Sequence, residues 1–107
     1  MATCQGPIVE IEGQLYCQHE LDVLQDFIDL NESLNDRKPL QIAIQKWKNM
    51  RLDFLYLGVN QLDVIPKSIC AISSNLTTLN ISQNNVCPPY PVCVENFIGE
   101  QNTSSCQ

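Results

Sequence analysis

The first third of the chain contains two patterns of apolar and polar residues, and each pattern predicts a different element. Residues 8–17, IVEIEGQLYC, alternate around Glu12-Gly13, which predicts a β-hairpin that turns at this dipeptide. Residues 20–30, ELDVLQDFIDL, place apolar residues at helical spacing with acids between them. We therefore expect a hairpin followed by one amphipathic helix. The apolar stripe of this helix consists of Leu21, Leu24, Phe27 and Ile28.

The segment after the helix predicts one further strand. Residues 31–39, NESLNDRKP, have the composition of a loop. In residues 40–52, LQIAIQKWKNMRL, the apolar residues Leu40, Ile42 and Ile44 alternate, as they would on an edge strand. Trp47 is expected to cover the open end of the core that the following leucines form.

Two later segments share one apolar pattern, and the offset between matching positions is the same throughout. Residues 52–62 read LDFLYLGVNQL and residues 76–86 read LTTLNISQNNV. The offset is 24 residues, and a fixed period of this length indicates repeated units. In such a unit, alternate leucines of a short strand face the core and an asparagine turns the chain. The corresponding positions are Leu52 and Leu76, Leu55 and Leu79, Leu57 and Ile81, Asn60 and Asn84, and Leu62 and Val86.

Both segments follow the pattern L-x-x-L-x-L-x-x-N-x-L and resemble leucine-rich repeats. The resemblance implies an α/β fold, a short leucine-rich-repeat solenoid with parallel strands on a concave face and an irregular or 3₁₀ convex side. The tail from Asn84, NNVCPPYPVCVENFIGEQNTSSC, resembles the closing segment of secreted bacterial leucine-rich-repeat proteins. On this interpretation a single domain comprises an N-terminal cap with hairpin and helix, two repeats and a C-terminal cap, over residues 1–51, 52–75, 76–86 and 87–107.

Six cysteines predict disulfides and an oxidising compartment, because an even number in a small chain is typical of secreted domains. Zinc binding is the alternative, but no Cys-x-x-Cys pair occurs and His19 is the only histidine. A shift by the period of the two segments carries Cys70 to the position next to Cys93, so these two are expected to join neighbouring layers of the solenoid. Many pairings of six cysteines are possible. Those expected are Cys4–Cys17, Cys70–Cys93 and Cys87–Cys106.

Charge and hydropathy bear on location and partners. The net charge of −6 argues against nucleic acid and against anionic membrane surfaces as partners. The chain contains no apolar run long enough to predict membrane insertion. We expect a secreted or cell-surface protein. The first residues, MATCQGPIVE, have neither the basic start nor the apolar core of a signal peptide, so this expectation requires that a signal peptide was removed.

The sequence favours binding over catalysis. It lacks the nucleophile, phosphate-binding and dinucleotide-binding motifs of common enzymes, and it suggests no cofactor or metal site. On the predicted solenoid, the residues between the inward leucines form the concave face, where exposed aromatics are typical anchors of an interface. We therefore expect a protein or glycan partner at this face. Its predicted residues are Phe54, Tyr56, Val59, Thr78, Asn80 and Gln83.

Three alternatives to this binding hypothesis stay open. The N-terminal segment could cover Phe54 and Tyr56, which would make them structural. The protein could instead be a self-associating component of a surface or adhesion assembly. A third hypothesis is a small disulfide-rich inhibitor that acts through an exposed loop such as PPYPV, in which Tyr90 would matter most.

Overall fold

The computed structural model describes residues 4, 6–58, 60–104 and 106. Within this part of the chain there are five strands and one α-helix, and 3₁₀ turns form much of the rest. The regular elements are β1 (Ile8–Ile11), β2 (Gln14–Cys17), α1 (Gln18–Leu30), β3 (Ile44–Lys48), β4 (Arg51–Tyr56) and β5 (Thr78–Asn80). The 3₁₀ segments are Glu32–Leu34, Pro39–Gln41, Lys67–Ala71, Ser73–Asn75 and Val92–Phe97.

The predicted hairpin and helix are both confirmed. Strands β1 and β2 pair antiparallel and turn at Glu12 and Gly13, whose φ angles of 50° and 86° suit a two-residue hairpin turn. Helix α1 follows β2 directly and begins at Gln18, slightly before the predicted start at Glu20. Its buried face contains the predicted apolar stripe together with Val23 and the charged residue Glu20.

The second sheet is mixed, in the order β3-β4-β5. Strands β3 and β4 pair antiparallel across Asn49 and Met50, whose φ angles of 52° and 70° again suit a tight two-residue turn. Strands β4 and β5 pair parallel, and Leu55 lies opposite Leu79. The constant offset between the two leucine segments is therefore the register of one parallel strand pair.

The predicted leucine-rich-repeat solenoid is wrong. The described residues form a small α/β arrangement of a two-stranded sheet, a three-stranded sheet and one helix, in which no repeated stack is present. The parallel pair spans only three residue pairs, and β3 joins it in the opposite direction because a two-residue turn reverses the chain. The predicted edge strand is also displaced, since Pro39–Gln41 is a 3₁₀ segment and the strand begins at Ile44.

One apolar core connects the helix to the mixed sheet. Leu24 and Phe27 of α1 and Leu52 and Leu55 of β4 are completely buried in it. The buried carboxylate of Glu20 crosses the boundary between the two elements, where one oxygen accepts from the side chain of Arg51 and the other from the backbone N–H of Leu52. Helix and sheet are thus joined by apolar packing and by one buried ion pair.

Two buried asparagines hold the irregular segments in place. The Oδ1 atom of Asn84 accepts from the backbone N–H groups of Asn60 and Leu62, at 2.9 and 3.0 Å. Asn31, at the end of α1, binds the backbone of Asp63 and Val64 in a similar way. Buried polar groups need such partners, so these two side chains replace the ladder hydrogen bonds that irregular backbone lacks.

Three disulfides are present, and they join the pairs expected from the sequence. Cys4 pairs with Cys17 across the hairpin, Cys70 with Cys93, and Cys87 with Cys106, with Cα–Cα distances of 5.6, 5.4 and 5.6 Å. The Cys70–Cys93 disulfide connects the 3₁₀ segments Lys67–Ala71 and Val92–Phe97. Covalent links of this kind compensate for the small core of a short chain.

We expect the double variant Cys70→Ser/Cys93→Ser to lose about 2–4 kcal/mol of its free energy of unfolding. The disulfide closes a loop across a sequence separation of 23 residues, and its removal gives that loop back its freedom in the unfolded chain. Urea denaturation without reductant measures the loss. In strong reductant the two proteins should become equally stable, since neither then has the bond. A variant as stable as the wild type without reductant would contradict the prediction.

Candidate functional site

The outer face of the mixed sheet brings together four of the six predicted binding residues. Leu55 and Leu79 point into the core, so their neighbours on β4 and β5 point outward. The parallel register places Phe54 beside Thr78 and Tyr56 beside Asn80. We call the surface formed by these four residues, together with Ile44 and Lys46 of β3, the outer sheet face.

Strand β3 contributes two residues to the outer sheet face that the sequence analysis did not select. Ile44 lies opposite Tyr56 and is 59% exposed, which is high for a large apolar residue. Lys46 lies opposite Phe54, with its Nζ atom 5.1 Å from the centre of the ring. This distance is within the range of a cation–π contact. The signal in the sequence is IQKWK, in which Ile44, Lys46 and Lys48 are at every second position and would share one face of a strand. These residues could be assigned to the outer sheet face only once β3 was known to pair with β4.

The ring of Tyr56 lies directly over the backbone of Gly58. A Cβ atom added at Gly58 would come within 3.0 Å of both the Cζ and Oη atoms of this ring. A larger residue at position 58 would therefore require the tyrosine ring to shift by a few tenths of an ångström. Gly58 is buried and Tyr56 is half-buried, so the ring covers Gly58 and keeps part of its surface open to solvent.

The polar edge of the outer sheet face is partly ordered by local hydrogen bonds. Asn80 Oδ1 accepts from the backbone N–H of Ser82 at 3.0 Å and from its hydroxyl at 2.8 Å. These bonds hold the side-chain carbonyl, so the Nδ2 group remains to donate to a ligand. Thr78 is exposed and adds a hydroxyl beside Phe54.

The remaining two predicted residues are not placed on this surface. Gln83 lines a separate polar groove of about 410 Å³, and its backbone N–H donates to the carbonyl of Glu100 at 2.6 Å. This bond ties Gln83 to the C-terminal segment. Val59 lies outside the described residues.

The N-terminal hairpin packs against the opposite side of β3. Tyr16 of β2 meets Trp47 edge to face, with ring centres 4.9 Å apart. Trp47 and Lys46 are neighbours on a strand and so point to opposite faces. Trp47 therefore covers the hairpin side of the core, whereas Phe54 and Tyr56 stay half-buried among their own neighbours on the outer sheet face.

Other kinds of site are not evident in the described part of the chain. There, no three His, Cys, Asp or Glu side chains come together as they would to hold a metal ion. Within the same residues, no helix has the length and apolar character needed to cross a membrane. Comparisons of this chain with protein-family models, with curated proteins and with solved structures give no match.

Proposed function

We propose that this protein is a non-catalytic recognition module that binds an extracellular protein or glycan through the outer sheet face. The observation that carries the proposal is the row formed by Ile44, Tyr56 and Asn80 beside the row formed by Lys46, Phe54 and Thr78. Two aromatic rings thus lie next to each other, with a cation on one side and polar groups on the other. Such a combination is typical of the anchors of binding interfaces.

The strands hold these side chains in place before a partner binds. The ring of Tyr56 lies against Gly58, and Phe54 is contacted by Lys46. A surface of this kind loses little conformational entropy on binding, which favours affinity even for a small contact area. Both protein side chains and sugar rings stack on aromatic groups, and hydrogen-bonding groups at the edge suit either ligand.

An extracellular location is part of the proposal. Its support is the presence of three disulfides, which persist in oxidising compartments and are rare in reducing ones. Mass spectrometry of the protein isolated from its native source, with and without reductant, tests this point. Disulfide-bonded cysteines are expected, whereas six free thiols would contradict the location.

We expect Tyr56→Ala to weaken partner binding by about 2 kcal/mol or more, roughly a thirtyfold rise in Kd. The change removes a fixed aromatic surface at the centre of the outer sheet face, and Phe54→Ala should act in the same direction. Arrays of extracellular proteins and glycans, probed with the labelled wild type, supply the partner. Binding assays with each variant then measure the change in Kd.

The matched control is Phe97→Ala, which removes a ring that is 45% exposed on the C-terminal segment. It should leave Kd unchanged for every ligand whose binding depends on Tyr56. If Phe97→Ala and Tyr56→Ala weakened binding equally, the outer sheet face would not be the site. If Tyr56→Ala instead changed the sedimentation coefficient of the protein alone, the surface would serve self-association.

The inhibitor hypothesis has no comparable observation in its favour. Tyr90 is half-buried, packs against the core and donates its hydroxyl to the carbonyl of Val86 at 3.2 Å. A residue that is held in this way stabilises the C-terminal segment and is poorly placed to enter the active site of a target enzyme.

A further inference from the structure

A second surface, distinct from the outer sheet face, is a groove of about 650 Å³ beside the N-terminal hairpin. One wall is formed by Val9 and Ile11 of β1, while none of the lining residues comes from β2. The opposite wall is helix α1, and the segment 38–41 forms the third side. The groove therefore lies beside β1, on the face of the hairpin to which Val9 and Ile11 point.

Strand β1 is an edge strand of the two-stranded hairpin sheet. The carbonyl of Pro7 accepts from the N–H of Gln18 across the hairpin at 3.0 Å. Because bonding alternates along an antiparallel strand, residues 7, 9 and 11 face β2, whereas Ile8 and Glu10 direct their N–H and C=O groups outward. Within the described part of the chain, no backbone partner reaches Ile8 or Glu10. The free edge is thus able to accept another strand.

The walls of the groove match the side chains of such a strand. Leu21, Pro39 and Leu40 add apolar surface to that of Val9 and Ile11. Every second side chain of an added strand would point toward this apolar surface, and the others would point to solvent. Strand addition of this type gives affinity through the backbone and specificity through alternate side-chain pockets.

The charge around the groove selects a basic partner. Residues 1–36 contain eight acids and no lysine or arginine. Three of these acids, Glu10, Glu12 and Asp22, are exposed on or beside the groove walls, where Lys38 is the one base among the lining residues. A basic segment would be attracted to this region, and an acidic one would be repelled.

We infer that the groove beside β1 binds an extended peptide segment with alternating apolar and basic residues, which adds to β1 as a third strand of the hairpin sheet. The apolar residues of the peptide lie over the groove, and its basic residues lie on the opposite face of the sheet, on the same side as the exposed carboxylate of Glu10. A second copy of this chain is a poorer occupant, because it would bring together two regions with the same excess of acids.

The test uses a short synthetic peptide that alternates lysine with valine, and a matched peptide that alternates glutamate with valine. Isothermal titration should give binding of the lysine peptide that weakens with salt, and no binding of the glutamate peptide. The variant Glu10→Pro removes the outward N–H without breaking the ladder to β2. It should raise the Kd of the lysine peptide about tenfold or more.

Two controls separate strand addition from other effects. Glu10→Gln removes the same charge but keeps the N–H, so its Kd should rise less than that of Glu10→Pro. Leu15→Pro makes the same backbone change at the residue that pairs with Glu10, on the strand that does not line the groove, and should leave Kd unchanged. Equal binding by wild type and Glu10→Pro, or equal weakening in both proline variants, would overturn the proposal.

Amide hydrogen exchange tests the same contact in the unaltered protein and does not depend on whether the variants fold. The N–H of Glu10 should become protected when the lysine peptide is added, while the N–H of Val9, already bonded to β2, should change little. Absence of new protection at Glu10 would overturn the proposal. So would a monomer–dimer equilibrium of the protein alone that Glu10→Pro abolishes, since it would assign this edge to a second copy.

Discussion

We expect the variant Glu20→Gln to lose about 3–5 kcal/mol of its free energy of unfolding, because it breaks a buried ion pair from one side. Glu20 is completely buried, and Arg51 is 9% exposed. Both carboxylate oxygens of Glu20 are used, one by the Arg51 side chain and one by the N–H of Leu52. An amide of the same shape cannot balance the guanidinium charge and presents only one acceptor. Urea denaturation under non-reducing conditions measures the loss.

The matched control is Asp22→Asn, two residues further along the same helix and on its exposed side. Asp22 is exposed, and its carboxylate accepts from the side chain of Gln18. This variant loses the same unit of charge but should change the free energy of unfolding by less than about 1 kcal/mol. Similar losses of the free energy of unfolding in the two variants would show that stability depends on the total charge of the helix. The role assigned to the Glu20–Arg51 pair would then be wrong.

The second large effect is expected for Asn84→Ala, with a loss of at least about 3 kcal/mol in the free energy of unfolding. Asn84 is 2% exposed, and its Nδ2 group donates to the carbonyls of Leu57, Ile81 and Ser82, at 3.0, 2.8 and 3.1 Å. Its Oδ1 atom serves two further backbone N–H groups. Alanine removes the side-chain partner of all these backbone groups at once, and each buried group that loses its partner is costly.

Asn60→Ala provides a close comparison for this prediction. Asn60 occupies the corresponding position in the earlier leucine segment, but it is only half-buried, and its side chain donates one hydrogen bond, to the carbonyl of Gly58 at 3.0 Å. Its replacement should cost about 1 kcal/mol or less. Thermal and urea unfolding of both variants checks the difference. Equal losses would mean that the two asparagines are equivalent after all, as the sequence pattern suggested.

The sequence predicted the local elements better than their assembly. Glu12-Gly13 specifies the hairpin turn through its backbone conformation, and the spacing of Leu21, Leu24 and Ile28 specifies the helix. Both signals act over a few residues, so no distant contact is needed to interpret them. The constant offset between the two leucine segments was also informative, because Leu55 and Leu79 are indeed neighbours on parallel strands.

The prediction of a solenoid was wrong because one parallel strand pair, β4 and β5, does not determine how the other strands join the sheet. A periodic pattern states which residues are equivalent, but it does not state how the strand before the first repeat joins the sheet. Asn49 and Met50 adopt left-handed conformations and reverse the chain there, so β3 is antiparallel. Asn31, which was assigned to a loop, proved to be the buried partner of the backbone at Asp63 and Val64.

The sequence by itself therefore determined the hairpin, the helix and the adjacency of β4 and β5, because turn chemistry, helical spacing and register depend on few residues. Only the tertiary structure decided that Ile44 and Lys46 join Phe54 and Tyr56 on one face, that β1 lies beside an apolar groove, and that Glu20 meets Arg51. These contacts depend on the direction in which β3 enters the sheet and on the packing of α1, which are set by the balance of many distant interactions.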